Sequence, residues 1–321
     1  MISVIIPAFN ASAHIRQAIS CITGQTYNNL EIIVVNDGSS DNTEDIVREI
    51  SLQDSRVKLF TTPNNGSYEA RRYGISQAKS EWIAFSDSDD TMPSDAISNL
   101  AKNRCDRHDI IVGNLNVNNE YLFNHKVTGT ISNIRYCRAI LDGDTSIGNY
   151  GKLFRARLFN GLKPLPRRIK QNEDMLMLLH AAKNASDVFV TNDINVYNYI
   201  FHKGSISKGP SMPLADWLLL FDLIRESLSG IYTVELHKAF TVMRLNRLYE
   251  NVVLRGTAID PAEPCISEII RDCEKNGQLP SATRKHLETI KSPISQKIRS
   301  TVHRTTTTLK DCIKIILRVN R

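Results

Sequence analysis

Four short apolar runs, each followed by a stretch of helical length, occupy the first hundred residues. Val4-Ile5-Ile6 and Ile32-Ile33-Val34-Val35 are almost wholly apolar, as expected of strands that are buried on both faces. Strands that alternate with helical crossovers form a parallel sheet with right-handed connections. We therefore predict an α/β fold whose first strands cover Ser3–Ile6, Glu31–Val35, Val57–Phe60 and Trp82–Phe85.

Polar, turn-forming residues follow each of these strands. They are Pro7-Ala8-Phe9-Asn10, Asn36-Asp37-Gly38-Ser39-Ser40-Asp41, Pro63-Asn64-Asn65-Gly66 and Ser86-Asp87-Ser88-Asp89-Asp90. Because ligands of parallel sheets bind outside the carboxyl ends of the strands, we expect these four loops to form one binding rim. No GxGxxG follows the first strand, which argues against a dinucleotide-dependent oxidoreductase.

The pattern is less regular beyond about residue 109. Further short strands are predicted at Ile110–Val112 and Tyr121–Phe123, and a further segment, not assigned to helix or strand, at Lys152–Phe159. Helices are predicted near Asn133–Leu141, from about Asn172, and at Trp217–Leu228, Tyr232–Leu254 and Glu263–Lys275.

The composition, 41% hydrophobic and 23% charged, is typical of a globular protein. Six cysteines occur without a CxxC pair, so we expect reduced thiols rather than a zinc site or a disulfide framework. The N-terminus lacks a basic signal region, and no apolar run approaches the ~18 residues of a membrane span. We expect a cytoplasmic protein.

The positive charge is concentrated at the C-terminus. Residues 1–280 hold 30 Lys and Arg against 32 Asp and Glu (net −2), whereas residues 281–321 hold 10 against 2 (net +8). In the last segment Leu309, Ile313 and Ile316 recur at helical spacing among basic residues. Two interpretations stay open: a helix that docks peripherally on the anionic inner face of the cytoplasmic membrane, or a solubilising terminal helix. The acidic rim would repel phosphate, so we expect no nucleic-acid partner.

Asp87-Ser88-Asp89-Asp90 directly follows the fourth predicted strand. Carboxylate oxygens suit Mg²⁺ or Mn²⁺, which keep coordination positions open for a diphosphate. The alternative is an acidic helix N-terminus, because a helical stretch follows and carboxylates are favourable there.

Four ordered motifs together resemble the N-terminal half of family 2 inverting glycosyltransferases with the GT-A fold. They are Val4-Ile5-Ile6-Pro7-Ala8-Phe9-Asn10, Ile33-Val34-Val35-Asn36-Asp37-Gly38-Ser39-Ser40-Asp41, Asn65-Gly66 with Ala70-Arg71-Arg72-Tyr73-Gly74, and Trp82-Ile83-Ala84-Phe85-Ser86-Asp87-Ser88-Asp89-Asp90. The resemblance covers residues 1–115 and continues more weakly through 148–159, 172–179 and 197–207. It implies a Rossmann-like, mostly parallel central sheet with helices on both faces, followed by a helical C-terminal extension.

The resemblance also implies roles for individual residues. The residues that bind the nucleotide sugar would be Pro7, Ala8 and Asn10 in the first loop, Asp37 at the uracil, Arg71 near the nucleotide, and Asp87 with Ser88 at the ribose and sugar. Asp89 would bind Mn²⁺ or Mg²⁺. Asp37 is also explained as a turn residue, since Asn-Asp-Gly is strong turn chemistry, and both interpretations can hold together.

Glu173-Asp174 resembles the family's Glu-Asp motif, whose Asp is the general base. We assign Asp174 as the base and Glu173 as a neighbour that orients or binds the acceptor. The opposite assignment stays open because both residues lie within one helical turn, and an acidic first turn that complements the helix dipole is the alternative.

Two basic segments complete the resemblance. His202 and Lys203 lie in a segment resembling a loop that closes over the donor diphosphate. Lys152 lies in Gly151-Lys152-Leu153-Phe154-Arg155, which resembles an Asn-Lys-Leu-Tyr-Arg stretch of related enzymes with Gly in place of Asn. A solvated basic face explains Lys152 equally well.

The resemblance thus implies a metal-dependent inverting transferase that moves a hexose or N-acetylhexosamine from a UDP-sugar to a hydroxyl of a glycan or lipid-linked glycan, in cell-surface polysaccharide or lipopolysaccharide synthesis. The alternative is a non-catalytic nucleotide-sugar-binding partner or scaffold subunit with the same fold. The expected domains are 1–212 (1–115 for the donor, 116–212 for acceptor and lid), a helical extension over 213–292, and a basic amphipathic tail over 293–321.

Overall fold

A computed structural model describes residues 1–118, 120–200, 211–276, 279–303 and 306–307. The chain divides into two compact units. One comprises Met1–Ser207 with Ile224–Ile231, and the other comprises Lys208–Leu223 with Tyr232–Arg321. The predicted domain boundaries at residues 212 and 292 stay predictions.

The first unit is built on a nine-stranded sheet with the order β3-β2-β1-β4-β8-β5-β9-β7, in which β6 pairs with β5. The strands are β1 (Ile2–Ala8), β2 (Leu30–Asn36), β3 (Val57–Thr61), β4 (Trp82–Phe85), β5 (His108–Val117), β6 (Tyr121–Phe123), β7 (Gly129–Ser132), β8 (Lys152–Arg155) and β9 (Asp187–Tyr199).

The sheet is parallel in its N-terminal half and mixed beyond it. Strands β1 to β4 pair in parallel, as the alternating pattern predicts. Strand β8 lies antiparallel to both β4 and β5, whereas β9 pairs in parallel with β5 and antiparallel with β7. The carboxyl ends of β1, β2 and β4 therefore share one edge, where the predicted rim lies.

The helices of the first unit are α1 (Ile15–Thr23), α2 (Thr43–Gln53), α3 (Ser67–Gln77), α4 (Ala96–Lys102), α5 (Asn133–Asp142) and α6 (Glu173–Asn184). A 3₁₀ turn, Ala156–Phe159, follows β8. Helix α7 (Leu214–Ser227) begins in the part of the chain assigned to the second unit and ends in the part assigned to the first.

Helices cover both faces of the parallel half. Successive strand residues point to opposite faces, so Val4 and Ile6 join the cluster formed with Ile15 and Ile19 of α1. On the other face Gly74 brings α3 so close to β1 that an added Cβ would lie 2.5 Å from Cγ2 of Ile5. The arrangement fixes α3, and with it Arg71, beneath the rim.

The second unit is helical. It contains α8 (Val234–Leu248), a π-helical turn (Tyr249–Val253), α9 (Pro264–Lys275), α10 (Ser281–Lys291) and a helix over residues 293–303, here called α11. Arg244 of α8, although buried, pairs with Glu268 and Asp272 of α9. Among the helices of the described ranges, none has the length and apolarity needed to cross a bilayer.

Candidate active site

The loops after β1 and β2 are locked together at the rim. Asn10 adopts a left-handed backbone (φ 48°), which Asn tolerates better than most residues. Its Oδ1 accepts a hydrogen bond from the Ser40 backbone N–H (2.8 Å), and its own N–H donates to Oγ of Ser39 (3.0 Å). Pro7 and Ala8 are buried at the end of β1. Of these three predicted nucleotide-binding residues, only Asn10 is exposed.

Asp37 joins the loop after β2 to the loop after β3. Its two carboxylate oxygens accept hydrogen bonds from the backbone N–H groups of Asn65 (2.9 Å) and Gly66 (2.8 Å). Gly38 has φ +69°, and a Cβ there would lie 2.9 Å from the Asn64 nitrogen, so this turn requires glycine. The turn role of Asp37 is therefore present in the structure, while its role at uracil stays a prediction.

Arg71 is the buried cation at the centre of the site. Its Nη2 lies 2.6 Å from Oδ1 of Asp87, and its Nη1 lies 2.9 Å from Oδ1 of Asp174. Burial disfavours its charge, yet the surrounding carboxylates, Asp174 most of all, raise its pKa. One guanidinium thus connects the aspartate cluster after β4 with the Glu-Asp pair, which follows much later in the sequence.

The Glu-Asp pair begins α6. Nδ2 of Asn149 donates to Oδ1 of Asp174 (3.0 Å), and Oγ of Ser67 donates to Oε1 of Glu173 (2.9 Å). Burial raises the pKa of Asp174, against the lowering effect of Arg71. Burial together with the charge of Asp174 raises the pKa of Glu173 to about 7. Of the two carboxyls, Asp174 is the one that directly contacts the guanidinium of Arg71.

Asp90 links the aspartate cluster to the end of β9. Its carboxylate accepts hydrogen bonds from the hydroxyl of Tyr197 (2.8 Å) and from the backbone N–H of Ile200 (2.8 Å). The same hydroxyl accepts from the Asp87 N–H (2.9 Å). Burial raises the pKa of Asp90 to about 8, and the charge of Asp87 adds to that shift. Asp90 is thus a buried positioning group.

The remaining members of the cluster, Ser88 and Asp89, are partly exposed. In the described part of the chain, no three His, Cys, Asp or Glu side chains are grouped as a ready-made metal site. The donor set available at this edge is nevertheless carboxylate oxygen, which is the ligand type of Mg²⁺ and Mn²⁺. The cluster therefore fits a hard cation that takes few protein ligands, with Asp89 more accessible than the buried Asp90.

The burial of Lys152 contradicts the interpretation of its segment as a solvated basic face. Its side chain is buried, and Nζ donates to Oγ of Ser146 (2.6 Å) and to the carbonyl of Gly148 (2.6 Å). Burial lowers its pKa to about 7, and Asp174 acts in the opposite direction. Lys152 therefore holds the 146–150 loop, which carries Asn149, beside the candidate base. His202 and Lys203 lie outside the described residues.

Three groups of this site carry no clear sequence signal. Asn149 and Tyr197 lie in the weakly matching segments 148–159 and 197–207, in which the resemblance gives neither residue a role. Asp90 belongs to the segment Asp87-Ser88-Asp89-Asp90, but nothing in that sequence indicates that Asp90 is its buried member. Only the approach of β9 and the 146–150 loop to the rim identifies these residues.

Comparison with solved structures shows which class of fold carries this site. S. aureus TarS residues 1–349, solved in complex with UDP-GlcNAc, superimposes with a TM-score of 0.71 over 95% of this chain and 92% of that chain, at 18% identity. The likeness shows a GT-A type fold, so the predicted fold class is confirmed.

Residues 3–160 match the family model described as Glycosyl transferase family 2. This region, which contains the four motifs, therefore belongs to glycosyl transferase family 2, as the motifs predict.

Two curated relatives show the extent of the similarity. Glycosyltransferase GlyA of Streptococcus pneumoniae is 30% identical over 221 residues, which cover 64% of this chain and 31% of GlyA. The GalNAc(5)-diNAcBac-PP-undecaprenol beta-1,3-glucosyltransferase of Campylobacter jejuni is 35% identical over 121 residues, which cover 37% of this chain and 39% of that enzyme. Each match thus spans less than two thirds of the relative.

Proposed function

We propose that the chain is a metal-dependent inverting glycosyltransferase, which moves a hexose or N-acetylhexosamine from a UDP-sugar to a hydroxyl of a glycan. The observation that carries the proposal is the placement of Arg71 between Asp87 and Asp174. The aspartate cluster suits a nucleotide diphosphate and its cation, and Asp174 suits proton abstraction. Arg71 contacts both, so the two groups lie on either side of a single guanidinium.

The donor half of the site would use the rim. Asn10, Asp37 and the end of β1 lie on the nucleotide side by resemblance, and the UDP-GlcNAc complex of TarS supports a UDP-sugar. Asp89 would hold Mg²⁺ or Mn²⁺, with Asp87 and Ser88 towards the ribose and sugar. When bound there, the cation supplies neutralisation of the charge on the departing diphosphate.

Asp174 would act as the base. Its carboxylate takes the proton of the acceptor hydroxyl while that oxygen bonds to the anomeric carbon from the face opposite the diphosphate. The bond from the anomeric carbon to the diphosphate oxygen breaks, and the nucleoside diphosphate leaves with the electron pair. The raised pKa of Asp174 favours proton uptake, whereas Arg71 keeps the resting carboxylate charged. His202 and Lys203 are proposed to contact the diphosphate.

The acceptor is proposed to be a glycan or lipid-linked glycan of cell-surface polysaccharide or lipopolysaccharide synthesis. The undecaprenol-linked compound in the name of the Campylobacter jejuni relative supports this class. A lipid-linked acceptor would place the reaction at the cytoplasmic face of a membrane.

A donor screen tests the proposal. Release of nucleoside diphosphate is measured from UDP-, GDP- and dTDP-sugars, with lipid-linked glycan extract or water as acceptor, in Mn²⁺, Mg²⁺ or chelator. We expect release from a UDP-sugar that needs the metal. The anomeric configuration of the product, read by NMR, should be inverted relative to the donor.

Asp89→Asn, compared with Asp45→Asn on the exposed face of α2, isolates the metal ligand. We expect Asp89→Asn to lower release by at least about 10²-fold with little change in thermal unfolding, since a partly exposed carboxylate contributes little to the core. The metal role would be contradicted if the wild type released nucleoside diphosphate fully in chelator and if Asp89→Asn did not alter that release.

A further inference from the structure

Helix α11 exposes an apolar stripe that nothing in the described chain covers. Ile294, Ile298 and Val302 are 74%, 57% and 55% exposed. They recur every fourth residue, so they lie along one face of the helix. Three large apolar side chains in a row are unusual on the surface of a charged helix, and such patches mark interaction sites.

Gln296 fixes the direction in which this stripe faces. Its buried amide accepts a hydrogen bond from the Ile259 N–H and donates to the carbonyls of Ile259 and Ile290, each at 2.8 Å. At 3.6 residues per turn, Gln296 lies about 160° around the helix from Ile298. The anchored side therefore faces the second unit, and the stripe faces away from it.

Basic side chains border the stripe. Lys297 and Arg299 are exposed and lie about 100° to either side of Ile298. Long basic side chains at the edge of an apolar stripe can lay their methylenes along it while their charged ends reach outward. The whole segment 281–321 carries a net charge of +8.

We propose that α11 lies in the interface of an anionic lipid bilayer, with Ile294, Ile298 and Val302 inserted and Lys297 and Arg299 at the headgroups. An apolar face bordered by Lys and Arg is the pattern of an interfacial helix. A second copy of the chain suits the stripe less well, because pairing two such helices would bring their basic borders together. The inference does not depend on transfer activity.

The sequence beyond α11 contains further apolar residues among basic ones. Leu309, Ile313 and Ile316 follow Val302 after seven, eleven and fourteen residues, which are intervals typical of an amphipathic sequence. These residues lie outside the described residues, so the surface is defined by α11 alone.

Vesicle co-sedimentation of the full chain tests this surface. We expect binding to phosphatidylglycerol-containing vesicles that falls with salt, and at least about tenfold weaker binding to pure phosphatidylcholine. Ile294→Ser with Ile298→Ser should weaken binding to the anionic vesicles about tenfold or more. The matched control, Leu52→Ser with Val234→Ser, removes similarly exposed side chains elsewhere and should bind as the wild type does.

A second readout follows insertion directly. Both native tryptophans are buried, so the emission of an Ile298→Trp variant reports mainly the new side chain at the stripe. Its emission should shift to the blue with anionic vesicles only. Unchanged vesicle binding by the stripe variant, equal binding to neutral vesicles, or a wild-type dimer in sedimentation velocity that the stripe variant dissociates would each overturn the proposal.

Discussion

Arg71 determines the charge state of the candidate site. Two carboxylates from distant parts of the chain converge on this buried guanidinium, which offers several donors in a fixed plane. Removing one partner of such a buried group leaves an uncompensated charge, so neither Asp87 nor Asp174 can be replaced by an apolar residue without cost. Conservative Asp→Asn changes, which keep shape and one oxygen acceptor, are therefore the informative ones.

Glu173→Gln decides which carboxyl is the base. If Asp174 is the base, its raised pKa predicts that the rate falls as the pH drops through that pKa. This acid limb of the pH–rate profile should persist in Glu173→Gln. The measurement is kcat/KM for donor turnover across the acidic and neutral pH range. Loss of the limb together with a fall of about 10³-fold or more would assign the base to Glu173 instead.

The same variant has a stability signature. The pKa of Glu173 is raised to about 7 from its unfolded value, so the folded state favours the protonated carboxyl. This contribution is complete below the unfolded pKa and is lost as pH rises through about 7. The unfolding free energy of the wild type should therefore fall across this window relative to Glu173→Gln, as measured by urea titration.

Among the elements, α3 is positioned by its close approach to β1. Gly74→Ala would place a methyl 2.5 Å from Cγ2 of Ile5, and overpacking of this kind costs about 1–3 kcal/mol. Because Arg71 lies one turn earlier, we also expect lower donor turnover. Ser76→Ala, exposed on the same helix, is the control and should stay within about 0.5 kcal/mol. Equal stabilities in chemical denaturation would show that α3 can shift freely.

The hydroxyl of Tyr197 in β9 makes two hydrogen bonds with the aspartate cluster. Tyr197→Phe removes the bonds to Asp90 and to the Asp87 N–H, which should cost about 1–3 kcal/mol and lower turnover. A double-mutant cycle with Asp90→Asn should be non-additive, since the two residues share one bond. Additive losses would mean that the bond contributes nothing, and Tyr121→Phe on an exposed strand is the control.

The sequence predicts the parallel half of this fold well and the rest incompletely. Strand Trp82–Phe85 is a short apolar run, and helix α5 has apolar residues at helical spacing; the local sequence therefore predicts both. The pattern does not predict strand β9, because Asn192, Asp193 and Asn195 interrupt its apolar alternation where it departs from regular pairing with β5. Antiparallel insertion of β8 depends on tertiary pairing, which no local pattern reports.

The site shows the same division. Motifs place Asp87 and Asp89 after a strand and Asp174 at a helix start, which the structure shows. The contact between Arg71 and Asp174, and the burial of Lys152, follow from how α3, α6 and β8 pack together. These contacts depend on how the whole sheet packs. The resemblance therefore identified the residues as candidates but could not predict which of them are in contact.

At the scale of the whole molecule, the candidate active site and the basic segment belong to different units. The acidic rim and its buried arginine lie in the first unit, whereas the basic segment 281–321 belongs to the second. Catalysis is therefore proposed for one unit and surface attachment for the other. Each proposal can fail alone, since vesicle binding needs no donor and donor turnover with water as acceptor needs no vesicle.

The role of Asp174 in turnover, rather than in donor binding, is central to the proposed function. The most direct measurement compares Asp174→Asn with Asp45→Asn for both nucleoside diphosphate release and calorimetric affinity for the UDP-sugar. Loss of a general base should lower release by about 10²–10⁴-fold. The amide that replaces the carboxylate keeps an oxygen that can face Arg71, so affinity should change by less than about threefold. A parallel collapse of affinity, or release that matches the control, would contradict this role.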